Sequence, residues 1–269
     1  MTIDVWAQIT TERMARAPWL ATLLRWTGRK NTFDAQSLET TIASMDAAGV
    51  DLALLAAWYG PEGSLISNEE VAAQIEAAPA RFRGLASADL RDPMGAVREL
   101  RKWVDGKRFV GVRLVPWLWD LPPNDRRYYP VYATCIELGV PFCTQIGHTG
   151  PLKRSECGRL IPYLEDVLLD FPELLVVGGH VGFPWLDELT TLTVKFPNFF
   201  VDTSAYMLRR LPSGFVDYMK GLGANRVMFG TNWPMIAHAT CLEGLDALGL
   251  SPEGRSAFLS GTARRVFKL

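Results

Sequence analysis

Residues 174–185 read LLVVGGHVGFPW. Leu174, Leu175, Val176 and Val177 form a short apolar run that meets Gly178, Gly179 and then His180. An apolar run of this length bounded by glycine reads as a buried strand. The glycines let another group approach the backbone closely as the strand ends. His180 then stands at the C-terminal tip, with Gly182 and Pro184 marking the loop behind it. In a parallel α/β barrel the strand tips at that end form the active-site floor. A histidine satisfied within the core has the same local pattern, so the rest of the chain has to decide.

Outward from this strand the chain alternates strand and helix patterns. Strand one is expected at Ile3 to Gln8, with Asp4, Trp6 and Gln8 on one face because side chains alternate along a strand. A long segment, about Thr10 to Gln36, follows with Arg13, Arg16, Trp19, Arg25, Trp26, Arg29 and Lys30. It is expected to be partly helical and to pack on the barrel mouth, as long connections often do when they bind or cover a ligand. Helix one, Ser37 to Ala48, ends at Gly49. Strand two, Val50 to Ala57, is almost continuously apolar, the mark of a strand covered on both faces. Ser67 and Glu70 make a capping box for helix two, and Asp92-Pro93 starts helix three.

Strands three to eight are expected at about Phe82–Ala88, Val110–Val115, Val140–Ile146, the run ending in His180, Phe199–Thr203 and Val227–Thr231. The helices between them are expected at about Val131–Leu138, Ile161–Asp170, Trp185–Lys195 and Phe215–Gly221. Two closing helices begin near Leu242 and Pro252. Eight such alternations predict an α/β fold of the (β/α)8 TIM-barrel kind, with an extra segment after strand one and C-terminal helices. A length of 269 residues suits one domain, residues 1–269. No GxGxxG follows the first strand, which argues against a dinucleotide-binding fold.

A net charge of −1 offers no electrostatic case for nucleic acid or an anionic membrane surface. No apolar run approaches the ~20 residues of a membrane span. The start, MTIDVWAQ, has no basic region ahead of an apolar one, so no signal peptide is expected. Cys135, Cys143, Cys157 and Cys241 lie far apart, as reduced thiols of a cytoplasmic protein would.

At the strand tips the barrel would gather Trp6, Gln8, Trp58, Arg113, Trp117, Gln145, His148, His180, Asp202, Tyr206, Asn232 and Trp233. Six of the nine tryptophans (6, 58, 117, 119, 185 and 233) sit at or just after a tip, which points to a flat or aromatic ligand or to aromatic plugs under long loops. Most polar members are neutral amides, which cannot act as bases near neutral pH. Arg113 either pairs with Asp202 or receives a substrate carboxylate. His238 falls after strand eight and reads as a solvated loop residue.

Several stretches resemble the amidohydrolase-2 group of the metal-dependent hydrolase superfamily. This group includes aminocarboxymuconate-semialdehyde decarboxylase, resorcylate-type decarboxylases and pyrone-dicarboxylate lactonase. The matching pieces include Met45-Asp-Ala-Ala-Gly-Val-Asp51, Gly111-Val-Arg-Leu114, Gly179-His-Val-Gly182, Val201-Asp-Thr-Ser204, Phe229-Gly-Thr-Asn-Trp-Pro234 and Gly261-Thr-Ala-Arg-Arg265, in order along the chain. The resemblance implies a His-x-His on strand one, where this chain has Trp6 and Gln8. It implies a histidine at the strand-five tip, here Gln145, and an aspartate after strand eight, here Asn232. The strand-six histidine is kept as His180. A zinc site wants three or four N, S or carboxylate ligands, so no cofactor and no catalytic metal are expected. A divalent metal on relocated ligands such as His148, His180 and Asp202 is the alternative.

The expected function is metal-independent hydrolysis of a small cyclic or aromatic lactone, ester or amide. His180 would be the acid or base, with Asn232 and Asp202 as its catalytic partners. Gln8, Gln145 and Asn232 would be fixed donors to a carbonyl or carboxylate. Trp6, Trp58, Arg113, Trp117, His148, Tyr206 and Trp233 would bind the substrate. Decarboxylation of an aromatic or unsaturated acid, with His180 as proton donor, and a barrel that only binds are the alternatives. The expected partner is a small molecule, with no nucleic acid and no membrane, and a homodimer by family analogy.

Overall fold

The structure is a computed structural model that describes residues 1–27 and 34–269. Arg29 and Lys30 of the long segment lie outside the described residues, as do the side chains of Arg25 and Trp26. Among the described residues, eight parallel strands follow one another in chain order. They are β1 (Ile3–Ala7), β2 (Leu52–Ala56), β3 (Phe82–Ala86) and β4 (Phe109–Leu114). β5 (Phe142–Gln145), β6 (Val176–Gly179), β7 (Phe199–Asp202) and β8 (Val227–Met228) complete the set. β8 is shorter than its sequence pattern, and beyond Met228 the chain bonds to β1. Val5 donates to the Phe229 carbonyl at 3.0 Å, Asn232 N–H to Trp6 at 2.7 Å and Gln8 N–H to Trp233 at 3.2 Å, which closes the ring.

The inside of the barrel is filled by Ile3, Val5, Leu54, Leu85, Val110, Cys143, Val177, Phe200 and Met228. Val266 and Phe267, on the last helix Thr262–Phe267, pack into this cluster and plug its lower end. The helices form the outer layer, and their starts follow local chemistry. Ser37 caps Leu38–Asp46. Ser67 and Glu70 bond reciprocally ahead of Asn68–Ala77. The Asp92 carboxylate accepts from Gly95 N–H at 2.9 Å ahead of Pro93–Trp103. Tyr129–Leu138 stops at Gly139, whose φ of +64° is a glycine conformation.

Four local expectations need correction. The helix expected over Ile161–Asp170 is regular only at Glu165–Asp170. Ile161 precedes Pro162 and is extended, φ −103° and ψ 124°, as the proline ring demands of its predecessor. Trp58 is no mere strand tip, since Trp58–Gly60 pairs antiparallel with Gly63–Ile66 in a hairpin. The first closing helix is His238–Leu242, ending where it was expected to begin. His238 itself is fully buried, not solvated: its Nδ1 is 2.9 Å from Ser44 Oγ, and its ring stacks on Trp233 at 5.0 Å. The four cysteines are buried free thiols. Among the described residues no helix is long and apolar enough to cross a membrane.

Barrel closure concentrates on one buried carboxylate. Asp4 accepts from Trp6 N–H and Thr231 N–H, each at 3.0 Å, and from Thr231 Oγ1 at 2.5 Å. Its Oδ2 also lies 3.3 Å from His238 Nε2. Orphaning these buried donors costs roughly 3 kcal/mol or more. Asp4→Ala should therefore lower the unfolding free energy in urea by about that amount; a change under ~0.5 kcal/mol would show that closure does not depend on Asp4.

Candidate functional site

A cavity of about 240 Å³ opens at the C-terminal mouth of the barrel. Drug-sized ligands occupy pockets of ~300–1,000 Å³, so this one suits a single substituted ring. Its wall is a group of three indoles. Trp19 stacks over Trp58 at 6.2 Å and 19°, and meets Trp117 edge-on at 5.0 Å. Each comes from a different place: the segment after β1, the hairpin after β2, and the short helix Pro116–Trp119 after β4. Met14, Leu20 and Leu23 extend the apolar lining.

The polar floor is bound mainly to itself. Gln8 Nε2 donates to Asn232 Oδ1 at 3.1 Å and to the Trp233 carbonyl. Gln8 Oε1 accepts from Arg113 Nη2 at 2.9 Å and Trp58 Nε1 at 3.3 Å. An amide has two hydrogens and two lone pairs, so Gln8 has nothing left for a ligand. That corrects its expected part as a donor to substrate. Gln145 Oε1 accepts from Trp117 Nε1 at 2.6 Å, and Gln145 Nε2 donates to the His148 carbonyl at 3.2 Å. Asn232, at φ +63°, turns its Nδ2 toward Met235 Sδ at 3.3 Å.

His180 follows β6 at φ +74° and stands at the cavity wall. A Cβ at Gly179 would collide with the Trp6 ring, so glycine is what lets that indole lie beside His180, 4.9 Å away. His180 Nδ1 is 2.6 Å from Ser204 Oγ, which leaves Nε2 for the cavity. Burial, then the charge of Arg113, lowers its pKa to about 3, so the ring is neutral at ordinary pH. Burial also lowers the pKa of half-buried His148. Beneath them Arg113 is clamped between indoles, its guanidinium 4.4 Å from the Trp6 ring and 5.1 Å from the Trp58 ring. Its Nε and Nη1 are buried without a hydrogen-bond partner, and burial pulls its pKa down to about 9, so it stays cationic at neutral pH. Asp202 is fully buried and accepts from Ser204 N–H at 2.8 Å. Burial raises its pKa to about 7.

Of the residues singled out in the sequence, Gln8, Trp58, Trp117, Gln145, His148, His180, Tyr206 and Asn232 meet at this cavity. Four do not line it. Trp6 and Arg113 lie in the layer below, and Asp202 sits behind Ser204 rather than paired with Arg113. Trp233 faces outward, with Nε1 on Thr41 Oγ1 at 3.1 Å. Sequence reasoning did not assign roles to Trp19, Leu20, Met235 or Ser204. Trp19 and Leu20 belong to the long segment whose length was the available signal. Ser204 stands two residues after Asp202, at the tip already read as chemical.

The Amidohydro_2 (amidohydrolase) family model matches residues 65–269. The chain belongs to that family. A gamma-resorcylate decarboxylase of Rhodococcus jostii is 28% identical to this amidohydrolase-family chain, covering 90% of it and 87% of the relative. The gamma-resorcylate decarboxylase of a Polaromonas species is 26% identical, with 90% and 86% covered. An uncharacterised TIM-barrel protein from Bordetella bronchiseptica superimposes with a TM-score of 0.84 at 26% identity, covering 99% of this chain and 98% of that one.

The expectation of no cofactor is overturned by solved neighbours. A 5-carboxyvanillate decarboxylase from Novosphingobium aromaticivorans is complexed with manganese (TM-score 0.75, 18% identity, 100% and 96% covered). An amidohydrolase from Burkholderia multivorans has bound zinc (TM-score 0.72, 18% identity, 100% and 99% covered). Both of these neighbours hold a divalent metal. The donor set of this chain does not fit a three- or four-ligand site of that kind. Among the described residues no group of three or more His, Cys, Asp or Glu is placed to hold an ion, including the relocated set of His148, His180 and Asp202.

The raised pKa of Asp202 has a measurable consequence. Between about pH 4, where an unfolded carboxylate ionises, and pH 7, the folded chain holds a proton that the unfolded chain has lost. Wild-type stability therefore loses this contribution as pH rises through that window. Asp202→Asn lacks the loss, so its unfolding free energy minus that of wild type should climb from pH 4 to 7 in urea titrations. A pH-independent difference would mean Asp202 is ionised throughout.

Proposed function

We propose that this chain, as a single barrel domain over residues 1–269, decarboxylates a small aromatic hydroxy-acid. The observation that carries the reading is a neutral imidazole, His180, in an indole-walled cavity whose lining contains no Asp or Glu among the described residues. Hydrolysis of a lactone or ester needs a base to activate water; no Asp or Glu lines the cavity, and His180, with its pKa pulled down to about 3, is a weak base. Decarboxylation needs a flat slot for the ring and a proton donor at the ring carbon.

The ring would lie against Trp19, Trp58 and Trp117. Arg113, cationic beneath the floor, makes that end of the cavity favourable for an anionic carboxylate. As the bond from ring to carboxyl breaks, its electron pair stays on the ring carbon and carbon dioxide leaves. That carbon takes the Nε2 proton of neutral His180, and the imidazolate left behind takes a proton from a solvent water, which departs as hydroxide. The choice of substrate class is supported by the gamma-resorcylate decarboxylase relatives. A neighbour of the same fold, a 2,6-dihydroxybenzoate decarboxylase, was crystallised with 2,6-dihydroxybenzoate.

The test is incubation with 2,6-dihydroxybenzoate and 5-carboxyvanillate, following release of carbon dioxide and the ring product by chromatography. Turnover is expected, and His180→Ala should reduce it by roughly 10²- to 10⁴-fold, the worth of a general acid. Binding of both acids without turnover would replace the reading with that of a binding protein. Cleavage of lactones or esters in their place would restore the hydrolase.

A further inference from the structure

We propose that Ser204 is a positioning residue that holds His180 in the tautomer with its proton on Nε2, so that the ring presents an N–H donor to the cavity. The assignment follows from where the Ser204 hydroxyl hydrogen can go. Ser204 is fully buried and does not line the cavity, so it is neither a nucleophile nor hydrated through the mouth. A buried hydroxyl is costly unless its hydrogen finds an acceptor. The Asp202 carboxylate accepts the Ser204 backbone N–H at 2.8 Å and lies near enough to the Ser204 hydroxyl for that hydroxyl to offset part of the rise in pKa that burial causes, but neither carboxylate oxygen forms a hydrogen bond with the hydroxyl itself. His180 Nδ1, at 2.6 Å, is the acceptor within hydrogen-bond distance. Once Nδ1 accepts, a neutral imidazole has its N–H on Nε2, since the two ring nitrogens divide one proton.

The contact also has a rigid base. Ser204 follows β7 directly, and its backbone is tied to the carboxylate of a strand residue. His180 follows β6 on the neighbouring strand, its ring backed by Trp6. The hydroxyl therefore sets both the angle and the protonation pattern of the imidazole. The chemical consequence is that the cavity selects ligands that offer an acceptor to Nε2–H: a carboxylate, a phenolate or an electron-rich ring carbon. That consequence rests on the proposed decarboxylation; the tautomer does not.

The experiment therefore reads the tautomer without substrate. The chain has three histidines, so long-range ¹H–¹⁵N correlation of uniformly labelled full-length protein gives three imidazole patterns, with His180→Gln assigning one. Wild type is expected to show His180 with a pyrrole-type Nε2 and a pyridine-type Nδ1. Ser204→Ala should average the two shifts, and Ser204→Thr, which keeps the hydroxyl, should restore the split. A wild-type pattern with the proton on Nδ1, or a Ser204→Ala spectrum identical to wild type, overturns the proposal. Should 2,6-dihydroxybenzoate be turned over, Ser204→Ala should lower kcat roughly 10- to 100-fold with KM little changed. An unchanged kcat overturns the positioning role even with the tautomer intact. Failure of all turnover in wild type would remove the decarboxylase reading and leave the spectroscopic result standing.

Discussion

The structure depends on the closure of its barrel, and closure depends on the carboxylate of Asp4. A parallel barrel has no hairpin to tie its last strand to its first, so that seam must be made by long-range contacts. Here β8 is two residues long, and the chain beyond it is held to β1 by backbone bonds and by Asp4 on Thr231. The same seam delivers Gln8, Asn232 and Trp233 to their places. The burial that makes the carboxylate so costly to leave unpaired also makes its hydrogen bonds strong enough to fix the seam. The site is thus assembled by the element that completes the fold.

At the mouth, the family scaffold and the residues of this chain pull in different directions. Manganese and zinc appear in solved neighbours, while this chain brings amides, indoles and two imidazoles to its barrel mouth. The amides are not idle replacements. Gln8 joins Asn232, Arg113 and Trp58 in one saturated knot, and Gln145 joins Trp117 to the loop carrying His148. Each knot holds an indole of the cavity wall by its N–H. The buried cation of Arg113 is stabilised by two aromatic faces rather than by a carboxylate, which keeps the positive charge under the floor uncompensated by a direct partner.

His180 and Asp202 illustrate how one low-dielectric interior moves two groups toward neutrality. Burial lowers the histidine and raises the aspartate, so both are disfavoured in their charged forms, and Ser204 stands between them.

The order of strands and helices was legible from the chain because each element carries its own local cause. Periodic apolar residues mark the buried faces, Ser67 and Asp92 mark helix starts, and Gly49 and Gly139 mark helix ends. The strand-tip rule then collected the polar part of the cavity lining and two of its three indoles. What the chain could not reveal were relations between residues distant in sequence. His238 looked solvated because nothing near it in sequence announces Asp4, Ser44 and Trp233 around its ring. Whether Arg113 pairs with Asp202 or receives a substrate carboxylate was open in the sequence, and packing gives Arg113 to two indoles and Asp202 to Ser204. Sequence alone therefore determined the barrel and which residues stand at or near its strand tips, because periodicity and capping are local. Tertiary structure alone decided which amides are already spent, which charges are buried and which way His180 faces, because those depend on contacts that close across the ring.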